Sequence, residues 1–297
     1  MTPKTIDYAT KEEVLIEALP YIQTYEGKTF VIKYGGSAMT DEGLKLTFAK
    51  DVTLLRKIGI NIVIVHGGGK EITDTAARLG IETRFVQGQR FTDEDMIRVV
   101  MMVLAGGLNK EIVHGINQNG GNALGLCGVD NSLLKGKKFT SKGVDLGFVG
   151  IVTSVNTAFL QMILQNGMMP VIAPLAMGPA GEIFNVNADL GAAAVASALG
   201  AEKLVYLSDV EGIVAGGSLV STLTQSEARR MIERGDIFGG MIPKVQSAFE
   251  TLDAGVNKVH IVDGRVKHSL LLEIFTDEGI GTQMVRDAAS VQQNIAI

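Results

Sequence analysis

The sequence has no tryptophan, a single cysteine and few aromatic residues, which make up 5% of its 297 positions. Each shortage removes a class of explanation. Cys127 alone excludes an internal disulfide and any cysteine-rich metal site, and fits a reducing cytoplasm. So few rings leave little material for platforms on which nucleic-acid bases stack. Basic charge is short as well: 27 lysines and arginines face 32 aspartates and glutamates, a formal charge of −5. A phosphate backbone asks for a basic surface, so no nucleic-acid partner is expected. Long apolar runs are missing too. The uncharged apolar candidates Val99–Asn109 and Leu190–Ala201 fall short of the roughly 20 residues that cross a bilayer. The opening MTPKTIDYATKEE lacks the apolar core of a signal peptide. The expectation is a cytoplasmic protein without a membrane partner.

Two nucleotide signatures are also missing. There is no GxxxxGK[ST], and HGGGKEI does not supply GxGxxG, which argues against a P-loop enzyme and a Rossmann dehydrogenase. What the chain does have is apolar material, 46% of residues with a mean hydropathy of +0.25, and 36 glycines, many of them after apolar runs. That is ample for a core in one large domain or in two lobes sharing a sheet.

Thr29–Ser37, TFVIKYGGS, reads as a buried strand running into a glycine turn. Asn61–His66 repeats the pattern, ending in Gly67-Gly68-Gly69 and a helix from Lys70. Strand, glycine turn and helix in succession predict a parallel sheet with helical crossovers. Arg84–Phe91 alternates as a hairpin about Gly88, and Thr92 is expected to cap a long helix through Ile116. Residues 120–156 are short and glycine-punctuated, as in a β-ribbon or lid over a site. Further strands are expected near Met168–Pro174, Lys203–Ser208 and Asn257–Asp263. The fold class is α/β, a three-layer αβα sandwich with a mainly parallel central sheet. Residues 10–26 form an amphipathic helix ahead of it, packed on its own subunit or gripping a neighbour.

Lys33 falls at the carboxyl end of the first strand, beside Gly35 and Gly36, where ligands of open α/β sheets bind. Glycine turns offer backbone N–H groups to oxyanions, although either turn taken alone is explained by tight geometry. Pro243 suits a first helical position and places Lys244 in the first turn. A cation there opposes the helix dipole, so a bound anion explains it better than stability does. Asn187 and Asp189 suit an N-cap and a first-turn acid, and Asp189 is a candidate to hold both lysines by charge. Arg90 is a candidate for bidentate carboxylate binding.

VIKYGGS, IVIVHGGG, NVNAD, LVYLSDVEGI and GGMIPKV follow one another in an order and spacing that resemble the amino acid kinase family. GQRFTDED with NVNAD points within it to the branch that phosphorylates the γ-carboxylate of N-acetyl-L-glutamate. The resemblance covers residues 28–297. It implies a fold with an N-terminal oligomerisation arm (1–26), an acyl-substrate lobe (27–186) and a nucleotide lobe (187–297). ATP with Mg²⁺ is implied as the phosphoryl donor, with no metal site built by the protein. Lys33 and Lys244 resemble the two transition-state lysines and Asp189 the acid that organises them. Gly35, Gly36, Gly68 and Gly69 match phosphate- and substrate-contacting turns, Gly68 and Gly69 on the substrate side. Arg90 and Asn185 match groups that bind the substrate carboxylates. Ser208, Asp209 and Gly240 match the nucleotide site.

Two further features resemble an arginine-inhibited branch. One is the N-terminal helix, implying a homohexamer built as a trimer of dimers. The other is KHSLLLEIFTDEGIGTQM, residues 267–284, in which His268, Glu273 and Gly279 would lie near L-arginine. A sibling kinase acting on another carboxylate or carbamate, and a non-catalytic anion-binding protein on the same fold, remain as alternatives.

Overall fold

The computed structural model describes residues 8–86, 88–141, 143–276 and 279–287. At its centre is an eight-stranded sheet. Its order is Thr222–Thr224, Thr282–Val285, Lys258–Asp263, Lys203–Ser208, β1 (Thr29–Tyr34), β2 (Asn61–His66), Met169–Ala173 and Ala123–Cys127. Neighbours run parallel except where Thr282–Val285 meets Lys258–Asp263. The inner strands are apolar runs without alternation because helices cover both faces. Along β1, Phe30, Ile32 and Tyr34 enter a cluster with α2 (Glu42–Lys57), while Val31 enters another with Ala192, Val195 and Phe249. The result is helix on sheet on helix.

Strand order fixes where a ligand can sit. From β1 the chain steps outward through β2 on one side, and Lys203–Ser208 flanks β1 on the other. The direction of winding reverses between them, so their carboxyl ends open a crevice. Lys33 is in register with Tyr206 across that boundary.

A smaller sheet closes on itself from Leu134–Ser141, Val144–Val155, Leu175–Met177 and Ile183–Val186. Its long antiparallel ribbon lies in the glycine-punctuated stretch. Thr92 ties the ribbon to the main body, donating its N–H to Leu146 O (3.0 Å) and accepting from Phe148 N–H (2.6 Å).

That tie explains a departure from the sequence expectation. Thr92 does not cap the long helix. Its hydroxyl donates to Arg90 O (3.0 Å), and Asp93 caps instead, accepting the Met96 N–H at 2.9 Å. The helix is also not uniform: Glu94–Met101 passes through a π-helical segment, Met102–Leu108, into Asn109–Gln118. Gly106 and Gly107 lower the local preference for regular α-helix there.

The N-terminal helix α1 (Tyr8–Tyr25) packs its end on its own chain, Tyr21 edge-on to Phe275 and Tyr25 edge-on to Phe30. Ile16 and Leu19 along it are exposed.

Candidate active site

Lys33 lies two residues after Val31, hence on the sheet face covered by the helix Ala188–Leu199. Asn187 caps that helix, its side-chain oxygen accepting from the amides of Asp189 (2.8 Å) and Leu190 (3.2 Å). Small residues let the helix sit low: a Cβ on Gly191 would meet Pro174 at 3.4 Å and Val65 at 3.8 Å. First-turn Asp189 thereby reaches the strand, with Lys33 Nζ 3.0 Å from Asp189 Oδ1. Gly35 leaves room for the amine, since a Cβ there would stand 2.7 Å from Lys33 Nζ.

The two glycine turns adjoin. A Cβ on Gly67 would lie 3.9 Å from Gly35 Cα, and Gly67 N–H donates to Tyr34 O at 2.8 Å. Gly36 has φ +70°, and a Cβ on it would collide with the Asp209 carboxylate at 2.5 Å. That carboxylate accepts the Ser37 N–H at 2.7 Å. Asp209 therefore reaches across the crevice to the phosphate-type turn.

Lys244 comes from the opposite wall. Its helix, Met241–Asp253, is capped by Gly240 and starts two residues before Pro243. Lys244 remains in the first turn, and its Nζ donates to Ser208 Oγ at 2.8 Å. Asp189 and Lys244 line one cavity of about 260 Å³ with Asn187, Tyr206 and Ser247. Within it, Asp189 is ion-paired to Lys33, whereas Lys244 is held by a hydroxyl and forms no ion pair with Asp189.

A neighbouring cleft of about 230 Å³ is lined by Gly67, Gly68, Gly69, Arg90, Asn185 and Asn187, among others. Arg90 is buried there, donating to Gly69 O (2.7 Å), Thr73 Oγ1 (2.9 Å) and Thr83 Oγ1 (3.3 Å), with Phe85 against its guanidinium. Burial lowers its pKa from the ordinary arginine value. With three of five N–H groups engaged, two remain for an acceptor. Asn185 Nδ2 donates to Thr92 Oγ1 at 3.3 Å on the same wall.

A third cleft, about 410 Å³, opens beyond Asp209 and includes Glu211, Asp236, Phe238, Met241 and Arg265. The order is thus an arginine-bearing cleft, a two-lysine crevice and an acid-rimmed cleft. Among the described residues no group of three or more His, Cys, Asp or Glu side chains is placed to hold a metal.

The sequence profile of the amino acid kinase family matches residues 28–263. The chain belongs to the amino acid kinase family. Among curated proteins it is 55% identical to the acetylglutamate kinase of Chlorobium limicola, over 95% of this chain and 92% of that one. It is 51% identical to the acetylglutamate kinase of Aquifex aeolicus, over 92% and 97%. Among solved structures it resembles the N-acetylglutamate synthase of Neisseria gonorrhoeae. The complex of that synthase with coenzyme A and N-acetyl-glutamate superposes with a TM-score of 0.84 at 29% identity, covering 95% of this chain and 64% of the synthase. Its complex with coenzyme A and L-arginine gives 0.81 at 27% identity, covering 95% and 66%.

For an amino acid kinase, the third cleft contains a residue the sequence reading missed. Arg265 holds Asp263 bidentately, Nε to Oδ1 at 2.9 Å and Nη2 to Oδ2 at 2.7 Å. That hydrogen bonding lowers the Asp263 pKa from its ordinary value. The signal was a DGR triplet at a strand's carboxyl end. Phe238 at the mouth is 74% exposed, an uncovered ring beside acids.

The three residues read as an arginine site are distributed unevenly. Glu273 and Gly279 adjoin, since a Cβ on Gly279 would lie 2.6 Å from Glu273 Oε2. Glu273 is buried and accepts from His260 Nδ1 (2.6 Å), Ile280 N–H (2.8 Å) and Gly281 N–H (2.9 Å). Burial would raise its pKa; these hydrogen bonds and the His260 ring outweigh burial and hold it below the ordinary value. His268 instead pairs with the buried Asp51 of α2, Nδ1 to Oδ1 at 2.7 Å.

Proposed function

We propose that the chain transfers the γ-phosphoryl group of ATP to the γ-carboxylate of N-acetyl-L-glutamate, forming N-acetyl-L-glutamyl 5-phosphate. The observation that carries this reading is the pair of lysines on opposite walls of one crevice, Lys33 on Asp189 and Lys244 on Ser208, between an arginine-bearing cleft and an acid-rimmed one. The names of the relatives point to the substrate.

The chemistry needs little beyond that frame. A carboxylate with a pKa near ~4.3 is ionised at neutral pH, so no general base is required. Phosphoryl transfer then depends on positioning and charge neutralisation. Lys33 and Lys244 neutralise charge on the transferring group. Asp189 fixes Lys33. Gly35, Gly36, Gly68 and Gly69 present backbone to phosphate and substrate oxygens. Arg90 and Asn185 bind the substrate's carboxylates. Ser208, Asp209 and Gly240 border the nucleotide's phosphates. Mg²⁺ arriving with the nucleotide would neutralise phosphate charge, and an ion of that kind would need only one or two protein carboxylates.

The reading extends to regulation and assembly. L-Arginine is the proposed feedback inhibitor, bound near Glu273, Gly279 and His268. The adjoining Glu273 and Gly279, and the related synthase solved with L-arginine, support it. The proposed assembly is a cytoplasmic homohexamer of three dimers joined through α1, whose exposed Ile16 and Leu19 support it. Residues 27–186 form the proposed acyl lobe and 187–297 the nucleotide lobe.

The deciding experiment is a coupled assay of ADP release with N-acetyl-L-glutamate, glutamate, aspartate and carbamate in parallel, each with and without arginine. Turnover strictly dependent on N-acetyl-L-glutamate is expected; preference for another acceptor rejects the substrate assignment. Sedimentation of a chain lacking residues 1–26 should show dimers, and an unchanged hexamer would reject the role of the arm.

A further inference from the structure

His66 ends β2 directly before the three glycines, fully buried and unused by the chemistry described so far. Its ring nitrogens have different partners. Nδ1 lies 2.8 Å from Gly67 O, and a carbonyl only accepts, so Nδ1 carries the proton. Nε2 lies 3.2 Å from Asn109 Nδ2. The Asn109 amide is itself oriented without ambiguity. Its Nδ2 also faces Val171 O (2.9 Å) and Leu126 O (3.3 Å), while its Oδ1 accepts from Lys110 Nζ at 3.0 Å. A neutral ring with hydrogen on Nδ1 and a lone pair on Nε2 fits these contacts, the two Asn109 Nδ2 hydrogens being shared among three acceptors. Burial agrees, pushing the His66 pKa down to about 4.

This chain of bonds ends on a peptide that has reason to be held. Gly67 and Gly68 both lack a Cβ, so the plane between them rotates with little steric cost. Gly68 has φ +153°, a conformation suited to glycine. The Gly67–Gly68 peptide is trans, so fixing the Gly67 carbonyl toward His66 points the Gly68 N–H the opposite way. That N–H finds no acceptor among the described residues, and Gly68 lines the substrate cleft.

We propose that His66 is a positioning residue for phosphoryl transfer: it locks the Gly67–Gly68 peptide so that the Gly68 N–H is preset toward an oxygen of the reacting groups, and Asn109 fixes the tautomer that does so. The inference rests on the kinase reading above. A lock is needed because a site must approach phosphate with bare backbone, and bare backbone does not hold its own orientation.

Two measurements test it. The first is ¹⁵N spectroscopy of histidine-labelled protein, tractable with four histidines, using His66→Asn to assign the signal. A neutral Nδ1–H ring at pH 7 supports the lock; an Nε2–H ring overturns it, whatever the variants do. The second is kinetic. His66→Leu removes the donor and should lower kcat by roughly 10²-fold, the scale of one misdirected oxyanion donor, with KM for both substrates within about 3-fold. His66→Asn keeps a donor near the Nδ1 position and should recover most of kcat. A folded His66→Leu enzyme with normal kcat, or a loss confined to KM, overturns the role and leaves the kinase reading intact. A wild-type enzyme that does not turn over N-acetyl-L-glutamate refutes both.

Discussion

Lys33 Nζ and Asp189 Oδ1 stand 3.0 Å apart, one at the end of a strand and the other in the first turn of a helix 156 positions later in the chain. Neither side chain is fully buried, so the pair is a charge held at the edge of a cavity rather than a core ion pair. In the proposed reaction the acid would hold the amine in place until an anion arrives. Lys33→Ala should lower kcat by roughly 10²–10⁴-fold with smaller changes in KM, since charge on the transferring group is greatest at the transition state. Asp189→Asn should lower kcat less, and the double variant should be little worse than Lys33→Ala alone. Steady-state kinetics of the three variants checks this; additive losses would mean that Asp189 acts independently of Lys33.

Lys244 poses a different case because its anchor is neutral. Ser208 Oγ accepts from it at 2.8 Å, and the amine sits at a helix start where a cation is disfavoured. Lys244→Ala should cost as much kcat as Lys33→Ala. Ser208→Ala removes one hydrogen bond and should cost about 3- to 10-fold. A Ser208→Ala loss as large as that of Lys244→Ala would show that the hydroxyl itself touches the reacting groups.

The contrast between these two anchors marks what was legible in the sequence. The inner strands were readable because buried parallel strands are apolar on both faces, as β1, β2 and Lys203–Ser208 are, and β1 and β2 run directly into glycine. Asn187 as a helix cap was readable because capping is local. The Ser208 anchor and the Asp209 carboxylate on the Ser37 amide, 172 positions away, depend on which strands become neighbours. No local pattern encodes that. Asp93 displaced Thr92 as the helix cap for the same reason, since a distant ribbon engages the Thr92 backbone. His66 was hidden by its setting in an apolar run, where a histidine passes as core. Arg265 and Asp263 were close in sequence, but their meaning comes from the cleft they face.

Arg90 should separate binding from chemistry. It is buried against Phe85 with Gly69 O, Thr73 and Thr83 as partners, and it lines the cleft beside Asn185. Arg90→Ala removes a charged partner for the acyl substrate, a contact worth about 1.5–3 kcal/mol, so KM for N-acetyl-L-glutamate should rise about 10- to 100-fold. KM for ATP should change little. Arg90→Lys should not restore the acyl KM, because a point charge does not reproduce a planar fork held by three acceptors. An unchanged acyl KM in Arg90→Ala would remove the residue from the substrate site.

Two buried histidines should make the fold acid-sensitive above the carboxylate range. Burial pushes both His66 and His260 down to about 4, against about 6.5 in an unfolded chain. Between those values the unfolded chain binds protons that the folded chain refuses. The stability each contributes is therefore full above about pH 6.5 and lost as pH falls toward 4. At 1.36 kcal/mol per pH unit, that interval corresponds to about 3 kcal/mol per histidine. Glu273 adds to the loss only at lower pH, because its pKa is depressed below an already acidic value. Thermal melts from pH 7.5 to 4.5 should show Tm falling by several degrees across the window. His260→Gln keeps a donor for Glu273 but cannot titrate, so its Tm should fall less steeply. A wild-type Tm that stays level from pH 7 to 5 would show that the two rings accept protons in place.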